Sequence, residues 1–164
     1  MYNYYTETEP LCLNPTLCIS YEECWSSCSD SRGYFVGKNV FIDNVPQNTY
    51  TQIWMGNSNI FPQKLRIGFS CAKMISSVKI RNTSRYPYRN VRNFKIKVRE
   101  PNSTQWNAFI SGTLSDPYGL RPPPLETFNG TAVIAKEVEL SCLGTFRPST
   151  SSTKRCALNY IGFA

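Results

Sequence analysis

The sequence predicts an all-β protein, an antiparallel β-sandwich, from three observations. Short runs of alternating apolar and polar residues recur from about Tyr34 to the end of the chain. Turn-forming clusters separate them: DNVPQN, GNSN, NTSRYPYRN, REPNST, SDPYGLRPPP and RPSTSS. Many short strands punctuated in this way build sandwiches or barrels, and no long run carries a helical period. Composition agrees. Nine Phe, ten Tyr and three Trp favour strands, and a charged content of only 18% argues against disorder. A chain of 164 residues suits one domain with a core of its own.

In chain order, strands are expected near Val40–Asp43, Tyr50–Trp54, Lys64–Phe69, Ser77–Arg81, Phe94–Arg99, Gln105–Ile110, Leu125–Phe128, Lys136–Cys142 and Leu158–Phe163. Alternation assigns their faces. Leu65, Ile67 and Phe69 oppose Lys64 and Arg66, and Val78 and Ile80 oppose Lys79 and Arg81. Phe94, Ile96 and Val98 oppose Lys95, Lys97 and Arg99, and Val138, Leu140 and Cys142 oppose Glu137, Glu139 and Ser141. Each strand then has one dry side and one wet side, and two such sheets pack dry side to dry side. The expected core holds Val78, Ile80, Phe94, Ile96, Val98, Trp106, Val138 and Leu140.

Residues 1–32 read differently. They are polar and rich in cysteine, with Cys12, Cys18, Cys24 and Cys28, and form an N-terminal extension to the sandwich domain of residues 33–164. Leu11, Leu13, Leu17, Ile19 and Trp25 provide enough apolar surface to dock but too little to fold alone. The cysteine spacings do not match the paired CxxC of a zinc ribbon. With seven cysteines in total, export would give three disulfides and one free thiol, whereas a reducing compartment would leave all of them reduced, some as small buried hydrophobes.

Charge limits function. The chain has a net charge of +7 and no histidine. The charge favours acidic partners such as sulfated or uronic glycans, anionic lipid, nucleic acid or an acidic protein face. Without imidazole, Ser-His-Asp and Cys-His catalysis are impossible, as is any zinc site that needs it. The eleven acidic residues are scattered without a convincing catalytic motif, and spacing alone leaves a glycosidase carboxylate pair open. No base-reading motif or long basic groove supports nucleic-acid binding, and no apolar run approaches the roughly 20 residues of a membrane span. The opening MYNYYTETEP lacks the basic and apolar regions of a signal peptide, so either a signal has been removed or the protein is intracellular.

Two basic features stand out. Lys79, Arg81, Lys95, Lys97 and Arg99 form a stripe, which reads as a solvated face paired with Glu137 and Glu139 or, alternatively, as an anion-binding face. The loop RNTSRYPYRN concentrates Arg81, Arg85 and Arg89 with Tyr86 and Tyr88. Guanidinium groups make forked bonds to carboxylate or sulfate, and tyrosine rings stack on a sugar or pack on a protein. These five residues are the candidate ligand site. The other reading of the same loop has its tyrosines covering the core edge.

An ordered set of motifs resembles a known family. VKIRN, FKIKVRE, Trp106, GTL, AKEVEL and LNYIGF follow one another, preceded by IDNVPQNTYTQIW with Asp43, Asn44, Thr49, Thr51 and Trp54. In this order they resemble the discoidin superfamily, the coagulation factor five/eight C-type domains, over about residues 34–164. The resemblance implies a galactose-binding-like jelly roll and a non-catalytic recognition or adhesion module. Such a module would hold a glycan or glycoprotein through loops at one end of the sandwich, outside the cell. Some members carry a structural calcium at the counterpart of IDNVPQNT, which makes Asp43 the candidate ligand. One carboxylate would make a weak site, so no cofactor is expected. Two departures are the missing histidine, which sugar-binding relatives often use, and Asn159 where calcium-binding relatives often add a late glutamate. The alternative is an accessory structural subunit of a large intracellular assembly, ciliary or mitochondrial, held by neighbouring protein subunits. It rests on the Met start without a signal. Disulfides would favour the first reading and free thiols the second.

Overall fold

The structure is a computed structural model that describes residues 53–56, 60–146 and 155–164, and the backbone alone of residues 21–23 and 70–71. Its strands are β1 (Tyr21–Glu23), β2 (Trp54–Met55), β3 (Gln63–Arg81), β4 (Val91–Arg99), β5 (Asn107–Thr113), β6 (Leu125–Thr145), β7 (Ala157–Leu158) and β8 (Tyr160–Phe163). The larger sheet runs β1-β3-β6-β4-β5, with β8 on the same edge of β3 as β1, and a small sheet pairs β2 with β7. Every strand pairing is antiparallel. The architecture is the all-β jelly-roll sandwich that the alternation and the motifs imply. The expected strand at Val40–Asp43, the candidate calcium ligand Asp43 and the 1–32 extension, apart from the backbone of residues 21–23, lie outside the described residues.

Two pairs of expected strands are single strands. Lys64–Phe69 and Ser77–Arg81 both belong to β3, of 19 residues, and Leu125–Phe128 and Lys136–Cys142 both belong to β6, of 21 residues. The intervening SCAKMISS and NGTAVIA look like breaks because they are small and polar. Pairing survives there because extra residues are absorbed as register shifts between Gly68 and Lys73 and between Ile75 and Ser77. Ala72, Ile75 and Ala135 are buried within these stretches. Gly130 lets β6 pass close beneath β5, since a Cβ there would lie 3.0 Å from Ile110 Cγ1. At the other end, Leu158–Phe163 is split at Asn159 into β7 and β8.

The core gathers Leu65, Ile67, Phe69, Val78, Ile80, Phe94, Ile96, Val98, Val138 and Leu140, as the alternation predicts, and adds Trp54, Val91, Leu158 and Ile161. Phe94 and Phe128 meet edge to face with ring centres 4.8 Å apart. A disulfide joins Cys142 at the end of β6 to Cys156 just before β7, with both residues fully buried and Cα atoms 6.5 Å apart.

Trp106 is a correction, because it is not in the core. A bulge sets Ile96 opposite Ile110 but Lys97 opposite Ala108, leaving Phe109 as the extra residue. That residue reverses the phase of everything before it on β5. Trp106 therefore joins the outer face, where the guanidinium groups of Arg66 and Arg99 each lie 5.4 Å from its ring centre.

Of the basic stripe, Arg99 is ion-paired on this face, while Glu139 is engaged by Lys64 and Arg66 from outside the stripe. Arg66 Nε donates to Glu139 at 2.7 Å, Lys64 reaches the same carboxylate at 3.1 Å, and Arg99 pairs with Glu137. This face of β6 is not simply wet, because Glu139 is only 2% exposed. Burial pushes the Glu139 carboxyl up. Hydrogen bonds from Arg66 and Lys64, together with their charges, outweigh burial and hold it below its ordinary value of 4.5. A carboxylate lowered in this way stabilises the fold above its ordinary value and loses that contribution as pH falls through its own lowered value. Glu139→Gln should therefore cost about 1–3 kcal/mol near neutral pH. The gap from wild type should close as chemical denaturation is repeated at pH values falling below the glutamate range. A gap that does not change with pH would show that the loss is one of packing rather than charge.

Candidate ligand-binding end of the sandwich

The last pair of the β3–β6 ladder is Arg81 opposite Leu125. The chain leaving β3 and the chain entering β6 therefore emerge side by side, as loops 82–90 and 114–124. Both loops are braced from within.

In the first loop, Asn82 Nδ2 donates to Val91 O at 2.9 Å. The fully buried Asn90 holds both main-chain groups of Thr83, accepting from its N–H and donating to its carbonyl, each at 2.9 Å. Thr83 Oγ1 accepts from Arg85 N at 3.1 Å. A short 3₁₀ turn over Pro87–Arg89 follows, with Pro supplying the φ that its first position needs.

The second loop begins at the buried Leu114, whose N–H donates to Arg92 O at 2.8 Å. Ser115 gives its N–H and hydroxyl to the two oxygens of Glu126, at 2.9 and 3.0 Å. Asp116 Oδ1 accepts from Tyr118 N at 3.1 Å, and Leu120 N donates to Pro117 O at 3.0 Å to close a turn. Gly119 takes the third place in that turn with φ +80°, which a side chain rarely tolerates. The turn presents Tyr118, 57% exposed, and Leu120, 50% exposed.

Between the loops lies an open cleft of about 240 Å³, with Thr83, Ser84 and Pro87 on one wall and residues 117–121 on the other. The cleft is smaller than the ~300–1,000 Å³ typical of drug-sized ligand sites. Its walls offer hydroxyls, proline faces, an aromatic ring and the guanidinium of Arg121.

The residues singled out from the sequence divide into two groups. Arg85, Tyr86 and Arg89 come together: the two guanidinium groups lie 5.8 and 5.3 Å from the Tyr86 ring centre, and Arg85 Nε donates to Tyr86 Oη at 3.4 Å. Arg89 also reaches Met55 Sδ at 3.0 Å, and Tyr86 packs on Ile53, Met55 and Ala157. This group ties the loop to the small sheet. Tyr88 is separate and 52% exposed. Arg81 is half-buried at the end of β3, where its carbonyl accepts from Asn159 N at 3.0 Å. Tyr118, Leu120 and Arg121 were missed because SDPYGLRPPP read only as punctuation. A Tyr and an Arg close to proline, as also in RNTSRYPYRN, was the available signal. No group of three metal-ligating side chains occurs among the described residues.

No family model matches the chain and no curated protein matches it. Solved structures do. A family 32 carbohydrate-binding module from Clostridium perfringens, in complex with GalNAc-β-1,3-galactose, superposes with a TM-score of 0.67 at 14% identity, over 87% of this chain and 93% of that one. The family 32 module of C. perfringens NanJ, in complex with galactose, gives 0.65 at 13%, over 87% and 91%. The corresponding module of AlyQ, in complex with 4,5-unsaturated mannuronic acid, gives 0.61 at 17%, over 88% and 98%. The chain has the fold of these carbohydrate-binding modules. In this chain the cleft at residues 83–87 and 117–121 lies at one end of the sandwich.

The side chain of Asn90 sets the shape of the first wall. Asn90→Ala would strand two buried main-chain groups of Thr83 and should cost about 1–3 kcal/mol. Amide exchange should also speed up selectively over residues 83–89, as read by mass spectrometry. Unchanged exchange there would show that the 3₁₀ turn and Tyr86 hold the loop without it.

Proposed function

We propose that this domain is a non-catalytic recognition module that binds a glycan, free or on a glycoprotein, at the 82–90 and 114–124 end of the sandwich. The observation that carries the reading is the cleft itself, walled by hydroxyls and proline and bordered by the outward ring of Tyr118, on loops braced by side-chain hydrogen bonds to their own main chain. A rigid, shallow, partly aromatic site suits a flat, polar ligand with apolar faces. The fold supports the same reading, since similar structures hold GalNAc-β-1,3-galactose and galactose. On this reading Tyr118 and Leu120 face the ligand, Thr83 and Ser84 give it hydroxyl partners, and Tyr88 extends the surface. Arg81, Arg85, Tyr86 and Arg89 belong to the same end, with Tyr86 supporting the loop.

The Cys142–Cys156 disulfide favours an oxidising, extracellular setting over a subunit of a reducing intracellular assembly. No helix among the described residues is long and apolar enough to cross a membrane.

The test is a glycan array followed by titration calorimetry on the best binder. Tyr118→Ala should weaken binding by on the order of tenfold or more and leave the melting temperature nearly unchanged. Binding that is intact in both Tyr118→Ala and Tyr88→Ala would move the site elsewhere on the domain.

A further inference from the structure

Within the proposed glycan site, on which this inference rests, the distribution of charge selects among glycans. Loops 82–90 and 114–124 with their flanking strand ends carry Arg81, Arg85, Arg89 and Arg121 against Asp116 and Glu126. Both carboxylates already brace the second loop, Asp116 on Tyr118 N and Glu126 on Ser115. Arg121 differs from the other three arginines. It lines the cleft and is exposed, and no ion pair engages it among the described residues. Beside it in the same wall, the Leu120 side chain and the Tyr118 ring supply apolar contact.

We infer that the cleft takes an acidic sugar, a uronate or a sulfated residue. Its anionic group would make a forked pair with the Arg121 guanidinium while its ring lies against Tyr118. A guanidinium presents two parallel N–H groups that match the two oxygens of a carboxylate or sulfate, whereas a lysine in its place would offer only a point charge. Burying a neutral sugar beside the guanidinium would forfeit that pairing and part of the guanidinium's hydration. The net charge of +7 adds long-range attraction for polyanionic chains.

The test uses matched probes that differ only in charge: galacturonate oligomers with their methyl esters, and sulfated chondroitin oligomers with their desulfated forms. Binding of either acidic probe should exceed that of its neutral partner by about tenfold or more and should weaken as salt is raised. Which pair shows the larger difference identifies carboxylate or sulfate as the group that is read. Arg121→Ala should erase the acidic preference while leaving a weaker, charge-blind binding. Arg121→Lys should restore the preference in part. Arg121 is exposed, and an unchanged melting temperature in both variants confirms folding. Equal binding of acidic and neutral partners, or an acidic preference that survives Arg121→Ala, would overturn the inference and leave the glycan reading standing. Failure of every acidic and neutral glycan to bind would overturn both.

Discussion

The antiparallel pairing of β3 with β6 is the constraint on which the rest of the molecule depends. These two strands run through the larger sheet for most of its length, and every other strand of that sheet is attached to one of them or, for β5, to β4. Their common register decides which side chains meet in the core, as with Leu65 opposite Leu140 and Ile67 opposite Val138. It also decides what happens where the ladder ends. Because Arg81 stands opposite Leu125, the loop leaving one strand and the loop entering the other begin as neighbours. A slip of one residue would turn the core faces outward and would shift the two walls of the cleft past each other.

The two faces of functional interest use the same residue types for opposite purposes. On the outer face, Lys64, Arg66 and Arg99 are engaged by Glu137, Glu139 and the Trp106 ring, so these charges hold strands together. At the loop end, Arg85 and Arg89 clasp Tyr86 and fasten the loop to the small sheet, while Arg121 is left facing the cleft. The difference lies in the availability of carboxylates. Mid-strand, β6 supplies Glu137 and Glu139, whereas the two carboxylates near the cleft, Asp116 and Glu126, are bound to the loop's own main chain and to Ser115. A cation whose partner is already present contributes to stability, and one without a partner is available for a ligand.

Much of the fold was legible because strands that are wet on one side and dry on the other write a period of two into the sequence. Leu65 to Phe69, Phe94 to Val98 and Val138 to Cys142 all bury the faces that alternation assigns. What alternation cannot register is an inserted residue. The bulge at Phe109 reversed the phase of β5 and moved Trp106 from the core to the surface, and the irregularities in β3 made one strand look like two. The site was half legible for a related reason. RNTSRYPYRN announces itself by composition. Which second loop faces it depends on long-range pairing, and that cannot be read from residues 81–90 or from 114–124 taken alone.

The most direct measurement is therefore of register in the free protein, by main-chain nuclear Overhauser contacts. In an antiparallel ladder every second residue pair brings its two Hα atoms together. Such contacts are predicted at alternate members of the series Val78–Phe128, Lys79–Thr127, Ile80–Glu126 and Arg81–Leu125. Contacts in that series would place the two loops around one cleft. Contacts displaced by one or more residues, or Arg81 paired with a strand other than β6 and β8, would contradict the account.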